Sequence, residues 1–129
     1  MSQWITYPIR GRREWDEWKK RLDPDAPVRY PEYWEDLKRC YAGRDYPLGI
    51  HAGSFYGWIR NWVGMEHLAL WYADCPDLIH EMTEYVADFV LRLIERAVNE
   101  IPDLDYALMW EDMCHKTGPL ISPAMFREY

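Results

Sequence analysis

The chain has 129 residues, enough for one domain with a core of its own, and 49% of them are hydrophobic. Its formal net charge of −7 disfavours a nucleic-acid partner, because phosphate binding needs clustered Lys and Arg and this chain mixes them with acids. No apolar run is long enough to span a bilayer. Three widely spaced cysteines without a C-x-x-C pair fit reduced thiols. We therefore expect a cytoplasmic protein without a membrane partner or a structural zinc site.

Residues 1–44 are predicted to form a helical lead-in. Residues 4–8 favour an edge strand or an extended arm, and residues 12–22 and 34–41 predict two amphipathic helices, the second closed by Gly43 in a left-handed conformation. The predicted buried stripes of the two helices consist of bulky apolar residues: Trp15, Trp18, Leu22, Trp34, Leu37 and Tyr41.

Residues 46–53, YPLGIHAG, are the first strand candidate. Alternation puts aliphatic side chains on one face and glycine and histidine on the other. If the aliphatic face meets the helices, His51 looks into the interior of a sheet or barrel, where the missing glycine side chains leave room for a ligand. The alternative for His51 is a hydrogen-bonded interior or edge histidine.

The segment that follows, residues 54–63, lies at the carboxyl end of this strand and is predicted to be helical. Tyr56, Arg60 and Asn61 are therefore candidates for the rim of a pocket, and Gly64 is expected to break the helix before the chain resumes as MEHLALWYA.

The clearest predicted helix covers residues 76–100, where one apolar stripe repeats with a period of 3.6 residues. Twenty-five residues correspond to a helix about 37 Å long. With Pro102 as its stop, this helix is expected to be the crossover between two strands, and His80 is expected to face water on its polar side.

A second strand is predicted at residues 106–110, YALMW, because an unbroken apolar run of this length belongs in a parallel sheet covered on both faces. Glu111 and Asp112 follow at its carboxyl end, where parallel α/β folds gather their chemistry. Both are candidate catalytic residues, although neighbours on a regular strand point to opposite faces. The alternative is that either acid caps a helix or pairs with Lys116 or an arginine.

Cys114 and His115 lie in the predicted turn, where a Cys-His pair can indicate nucleophilic or metal chemistry. No third ligand or catalytic partner is identifiable, so no metal site is predicted. Beyond the turn, Ser122 followed by Pro123 predicts the start of a helix.

The runs YPLGIHAGSFYGWIRNWVG, DCPDLIHEMTEYVADFVLRLIERA and WEDMCHKTGPLISPAMFREY together resemble the uroporphyrinogen decarboxylase superfamily, especially its divergent bacterial members. The resemblance covers the chain from about Trp4 onward, and G-P-L-I-S-P-x-M-F-R-E is its most specific part. It implies a (β/α)8 TIM barrel that binds a tetrapyrrole at the carboxyl ends of its strands and removes carboxylate groups without a cofactor, as in porphyrin biosynthesis. The alternative reaction is that of the related corrinoid-dependent methyltransferases, which use zinc to activate a thiol.

By this resemblance, Asp112 takes a pocket position that holds Ser in typical decarboxylases, and Asn61 lies near a position that holds Tyr. The residues expected to bind substrate are Tyr56, Arg60, Asn61, His51 and His115. The amino-terminal arginine-rich segment, the pocket aspartate and the carboxyl-terminal histidine of the decarboxylases have no counterpart in this sequence, and neither has the His-x-Cys zinc pattern of the methyltransferases.

The fold class expected is α/β, as a partial TIM barrel with parallel strands and a long crossover helix: a helical lead-in, residues 1–44, and a β-α-α-β-loop-α core, residues 45–129. A whole barrel takes about 250 residues, so we expect an internal portion of a larger lyase that is inactive alone and whose partner is the rest of the barrel. A third hypothesis is a non-catalytic fragment that hides its sheet edges by self-association.

Overall fold

The structure, a computed structural model, describes residues 6–129. The helices in this range are α1 (Arg12–Lys19), α2 (Trp34–Ala42), α3 (Tyr56–Val63), α4 (Met65–Asp74), α5 (Pro76–Glu100) and α6 (Pro123–Glu128). Short strands are β1 (Gly49–His51), β2 (Tyr106–Leu108), β3 (Cys114–His115) and β4 (Gly118–Pro119), and a 3-10 helix covers Pro27–Arg29. The fold is therefore mixed α/β.

Strands β1 and β2 pair in parallel, with Gly49 opposite Tyr106 and His51 opposite Leu108. The pairing extends beyond the strands, because the Ala52 N–H donates to Leu108 O at 2.8 Å and the Trp110 N–H donates to Gly53 O at 3.0 Å. The connection between the two strands consists of three helices, α3, α4 and α5. The expected parallel pair joined by a long helix is thus confirmed, whereas residues 6–129 form two small two-stranded sheets and no closed barrel.

Helix α5 supplies more of the described core than any other element, and its bounds agree with the predicted residues 76–100. Its buried stripe packs against α3, α4 and α1, where Trp15 is fully buried. The α5 residues in this stripe share the period of the apolar pattern: Leu78, Ile79, Met82, Val86, Phe89, Val90 and Ala97. The core therefore lies between the crossover helix and the other helices.

The lead-in docks on α3 through backbone and aromatic contacts. The Ile9 N–H donates to Trp62 O at 3.1 Å, and Ile9 is buried. The rings of Trp18 and Trp62 lie 5.7 Å apart, and those of Trp62 and Trp58 lie 6.1 Å apart. The predicted arm at residues 4–8 lies partly outside the described residues, and its described part is not a strand.

Gly64 separates α3 from α4, as predicted, because its φ of +91° is a conformation that L side chains rarely adopt. The expectation for Gly43 is wrong. Its φ is −101°, so the chain leaves α2 without a left-handed residue. Arg44 takes over the stabilisation of this end, since its guanidinium donates to Tyr41 O at 2.9 Å and to Pro102 O at 3.1 Å.

The predicted burial of residues 106–110 on both faces is also wrong. Tyr106 is 56% exposed, Leu108 57% and Trp110 43%. On the other side of the strand pair, Ile50 of β1 is half-buried beside α2 and α5, whereas Met109 after β2 remains 46% exposed. We call the side formed by Tyr106 and Leu108, with His51 beside them, the open face.

No helix in residues 6–129 combines the length and apolar character needed to cross a lipid bilayer.

An ion cluster fastens α1 to α5. Glu81 on α5 accepts hydrogen bonds from Lys19 at 2.8 Å, from Arg12, and from the indole N–H of Trp15 at 2.9 Å. These donors favour the charged carboxylate and lower the pKa of Glu81 to about 2, with Lys19 the largest cause and Arg12 the next. The cluster thus holds the lead-in helix on the core.

Replacing Glu81 by Gln is expected to lower the free energy of unfolding at pH 7 by about 1 kcal/mol, a value discounted for screening because a third of the side chain is exposed. A carboxyl whose folded pKa lies below its ordinary value of 4.5 stabilises above that value and loses its contribution as pH falls toward about 2. Urea unfolding at pH 7 and pH 3 measures both effects. Glu84→Gln, an exposed change on the same helix, is the control, and equal pH profiles for wild type and Glu81→Gln would contradict the assignment.

Candidate functional site

The carboxyl end of β2 is joined to the start of α3 through Glu111. One oxygen of its carboxylate accepts the Phe55 N–H, and the other accepts the Gly57 N–H at 3.3 Å. These amides belong to the first turn of a helix, where backbone N–H groups lack intrahelical acceptors and the helix dipole favours negative charge. Glu111 therefore makes the helix-capping contact that was the alternative to a catalytic role.

Arg60 and Asp112 form an ion pair beside this cap. Nη1 of Arg60 donates to the Asp112 backbone oxygen at 2.7 Å and to its carboxylate at 3.2 Å. The guanidinium lies 5.8 Å from the ring centre of Tyr56 and 5.5 Å from that of Trp110, and its side chain is only 12% exposed. Two aromatic rings and a carboxylate thus hold Arg60 in place.

Gly57 allows the ring of Trp110 to approach α3. A Cβ added at Gly57 would lie 2.3 Å from Ser54 Oγ and 2.5 Å from the Trp110 ring, closer than real Cβ atoms come. Ser54 is itself fully buried, with no hydrogen-bond partner among the described residues. The start of α3, Trp110 and Ser54 therefore form one tightly packed unit.

A cavity of about 390 Å³ opens next to Glu111, between α3, α4, α5 and the segment after β2. Its lining is mainly aromatic and aliphatic, with the Glu111 carboxylate at one wall. The lining residues are Phe55, Tyr56, Ile59, Tyr72, Thr83, Met109, Glu111, Met113, Ile121, Phe126 and Tyr129. This volume falls in the range of small-molecule pockets in proteins, roughly 300 to 1,000 Å³.

The structure brings four of the seven predicted site residues together. Tyr56 and Glu111 line the cavity, and Arg60 and Asp112 pair beside it.

The other three predicted residues lie apart from the cavity. Asn61 is half-buried on α3. His51 is exposed, accepts the Gly53 N–H at 3.1 Å and borders a second cavity of about 310 Å³ near α2. His115 is exposed in the hairpin of β3 and β4, with its Nδ1 3.3 Å from Thr117 Oγ1.

Sequence reasoning missed the far wall of the cavity, which includes Tyr72 on α4, Thr83 on α5 and Tyr129 after α6. The rings of Tyr72 and Tyr129 meet edge to face at 4.9 Å. His80, expected to face water, instead stacks on Tyr129 at 4.1 Å and is half-buried. The only signal in the sequence was the 16% aromatic content, which does not identify the rings that meet.

Burial changes the acidity of the phenols in this cavity. The pKa of Tyr72 is raised well above its usual value because burial disfavours the phenolate, and the same cause raises the pKa of Tyr56. Both hydroxyls therefore stay protonated at neutral pH and can donate hydrogen bonds.

Within residues 6–129, no three His, Cys, Asp or Glu side chains lie close enough together to hold a metal ion.

Comparison with known proteins gives no relative. No family model, no curated protein and no solved structure matches this chain. Assignment to a family therefore depends on the sequence runs and on the geometry described above.

Gly57→Ala is expected to lower the free energy of unfolding by about 1 to 3 kcal/mol, because the added methyl displaces Trp110 or Ser54. This loss should exceed the gain in helix propensity, about 1 kcal/mol for Gly to Ala. Chemical denaturation measures it. Gly43→Ala is the matched control, since its new Cβ would meet nothing within 4 Å, and equal stabilities of the two variants would contradict the packing described here.

Proposed function

We propose that this chain is part of a uroporphyrinogen decarboxylase-like TIM barrel, a cytoplasmic enzyme that removes carboxylate groups from a tetrapyrrole without a cofactor. The observation that carries the barrel part of the proposal is the open face of a parallel strand pair. The reaction and the substrate rest on the resemblance of residues 118–128, GPLISPAMFRE, and its flanking runs to that superfamily.

The open face supports an incomplete barrel for a physical reason. Parallel strands usually occur in sheets covered on both faces, and the helices of this chain cover one. Tyr106 and Leu108 leave large apolar surfaces exposed on the other. In a barrel these side chains would fill the interior, packed against strands supplied by the rest of the barrel.

The carboxyl end of the strand pair supplies a charge for an acidic ligand. Arg60 is a cation at this end, and its bonds to Asp112 use only Nη1 among the described contacts. In this proposal Nη2 and Nε, which bond no described residue, pair with a carboxylate of the substrate, a geometry that a planar guanidinium favours. Asp112, in this proposal, fixes the orientation of Arg60.

Uroporphyrin, the stable oxidised form of the macrocycle, is the probe for this proposal. We expect the chain to shift the visible absorption of uroporphyrin, and Arg60→Gln to weaken binding roughly tenfold through loss of a charge-assisted hydrogen bond. Asp112→Ala is expected to weaken binding as well, since the guanidinium loses its anchor. Arg39→Gln, an exposed arginine on α2, removes the same charge elsewhere and serves as control.

Equal effects of Arg60→Gln and Arg39→Gln would reduce the interaction to net charge and contradict the proposed site. Tighter binding by Asp112→Ala would show that Asp112 shields Arg60 from anions rather than positioning it.

The open face also leads to a prediction about association. Without its partner strands, the chain is expected to self-associate with increasing concentration. Association would bury the exposed apolar face and pair the free strand edges. Leu108→Lys, on the open face, should shift sedimentation toward the monomer. Leu91→Lys, which replaces a similarly exposed leucine on α5, should not, and a compact wild-type monomer at all concentrations would contradict the incomplete barrel.

A further inference from the structure

The cavity beside Glu111 has a composition that does not suit the ligand of the proposed function. Among the described residues, the side chains that line it include one carboxylate and no Lys, Arg or His. A tetrapyrrole with several carboxylates would bring like charges toward Glu111 with no cation in the lining to compensate them. The lining therefore favours a ligand that is not a polycarboxylate.

The Glu111 carboxylate can still accept hydrogen bonds from a ligand. Its two oxygens offer about four acceptor positions, and the Phe55 and Gly57 amides use two of them. Because the neighbouring walls are apolar, a charge brought to the remaining positions is poorly screened by water. An uncharged apolar ligand would cover this carboxylate without pairing it, at a cost in desolvation.

Aromatic rings surround the rest of the space. Five line the cavity: Phe55, Tyr56, Tyr72, Phe126 and Tyr129. Aromatic faces carry negative potential and attract cations, while their edges and faces also pack against a planar ring. A positive charge near the carboxylate and a flat apolar body among the rings would satisfy both parts of the lining.

Ring contacts hold the Tyr129 wall of the cavity in place. His80 stacks on Tyr129 with an interplanar angle of 22°, and Tyr72 meets Tyr129 at 80°. Contacts on two sides restrict the rotation of Tyr129, so this ring is pre-ordered for a ligand. A pre-ordered wall lowers the conformational entropy that binding must overcome.

We propose that the cavity is a binding site for an arylalkylamine with a single positive charge, whose ammonium group pairs with Glu111 while its planar ring lies among the tyrosines. This site goes beyond the proposed function. The amine site takes a cation at Glu111, whereas the tetrapyrrole proposal requires an anion at Arg60.

Three probes with the same ring and different charge test the proposal on the full 129-residue chain: 5-fluorotryptamine (cation), 5-fluorotryptophol (neutral) and 5-fluoroindole-3-acetate (anion). Their ¹⁹F NMR signals avoid interference from the eight tryptophans of the protein. We expect the cation to bind with a dissociation constant on the order of a millimolar. The neutral probe should bind roughly tenfold more weakly and the anion more weakly still.

Two variants locate the site. Glu111→Gln should bring the affinities of the cationic and neutral probes to within about twofold of each other, whereas Glu84→Gln, an exposed residue outside the cavity, should leave them tenfold apart. Thr83→Leu fills part of the cavity from α5 and should weaken all three probes. This variant also tests the cavity if Glu111→Gln fails to fold, because the bond of the Thr83 hydroxyl among the described residues lies within its own helix, at Ile79 O.

Equal affinities for the three probes, strongest binding of the anion, or unchanged binding in Thr83→Leu would each overturn the proposal. Uroporphyrin is not expected to displace 5-fluorotryptamine, and displacement would place both in one site and overturn a separate amine site. Failure of uroporphyrin to bind at all would remove the proposed function and leave the amine site standing.

Discussion

The contact of the Glu111 carboxylate with the first amides of α3 fixes the geometry of this molecule. It ties the segment after β2 to the helix that follows β1, so the carboxyl ends of the two parallel strands meet at one place. Trp110 then packs against Gly57, and Asp112 comes within reach of Arg60. Without this carboxylate, the amides at the start of α3 would lose their acceptors and the cavity would lose one wall. The segment that carries Asp112 would also lose its attachment beside Arg60.

The elements that could be predicted from the sequence are those with strong local signals. Helix α5 has its predicted bounds because its apolar period persists over seven turns. Ser122 caps α6 as expected, with Oγ accepting the Met125 N–H at 3.1 Å. The parallel pairing of β1 and β2 was also predictable, because a long helix between two apolar runs favours a crossover connection.

Other features depended on contacts between distant residues. An apolar run such as residues 106–110 predicts a strand but does not show whether anything covers it, so its burial was wrongly predicted. The candidate site divides in the same way. Tyr56, Arg60, Glu111 and Asp112 lie in the segments that follow the predicted strands and were found from that position. Tyr72, Thr83 and Tyr129 instead reach the cavity from three different parts of the chain. Their meeting has no local signature.

The row of indoles formed by Trp18, Trp62 and Trp58 gives the chain an intrinsic optical reporter. At ring separations of 5.7 and 6.1 Å, neighbouring indoles couple electronically and pass excitation from one to the next. Trp18 lies on α1, whereas the other two lie on α3. When the first helix detaches, the Trp18–Trp62 contribution to the far-ultraviolet exciton band should therefore be lost, while the Trp62–Trp58 contribution and the ellipticity of the longest helix remain.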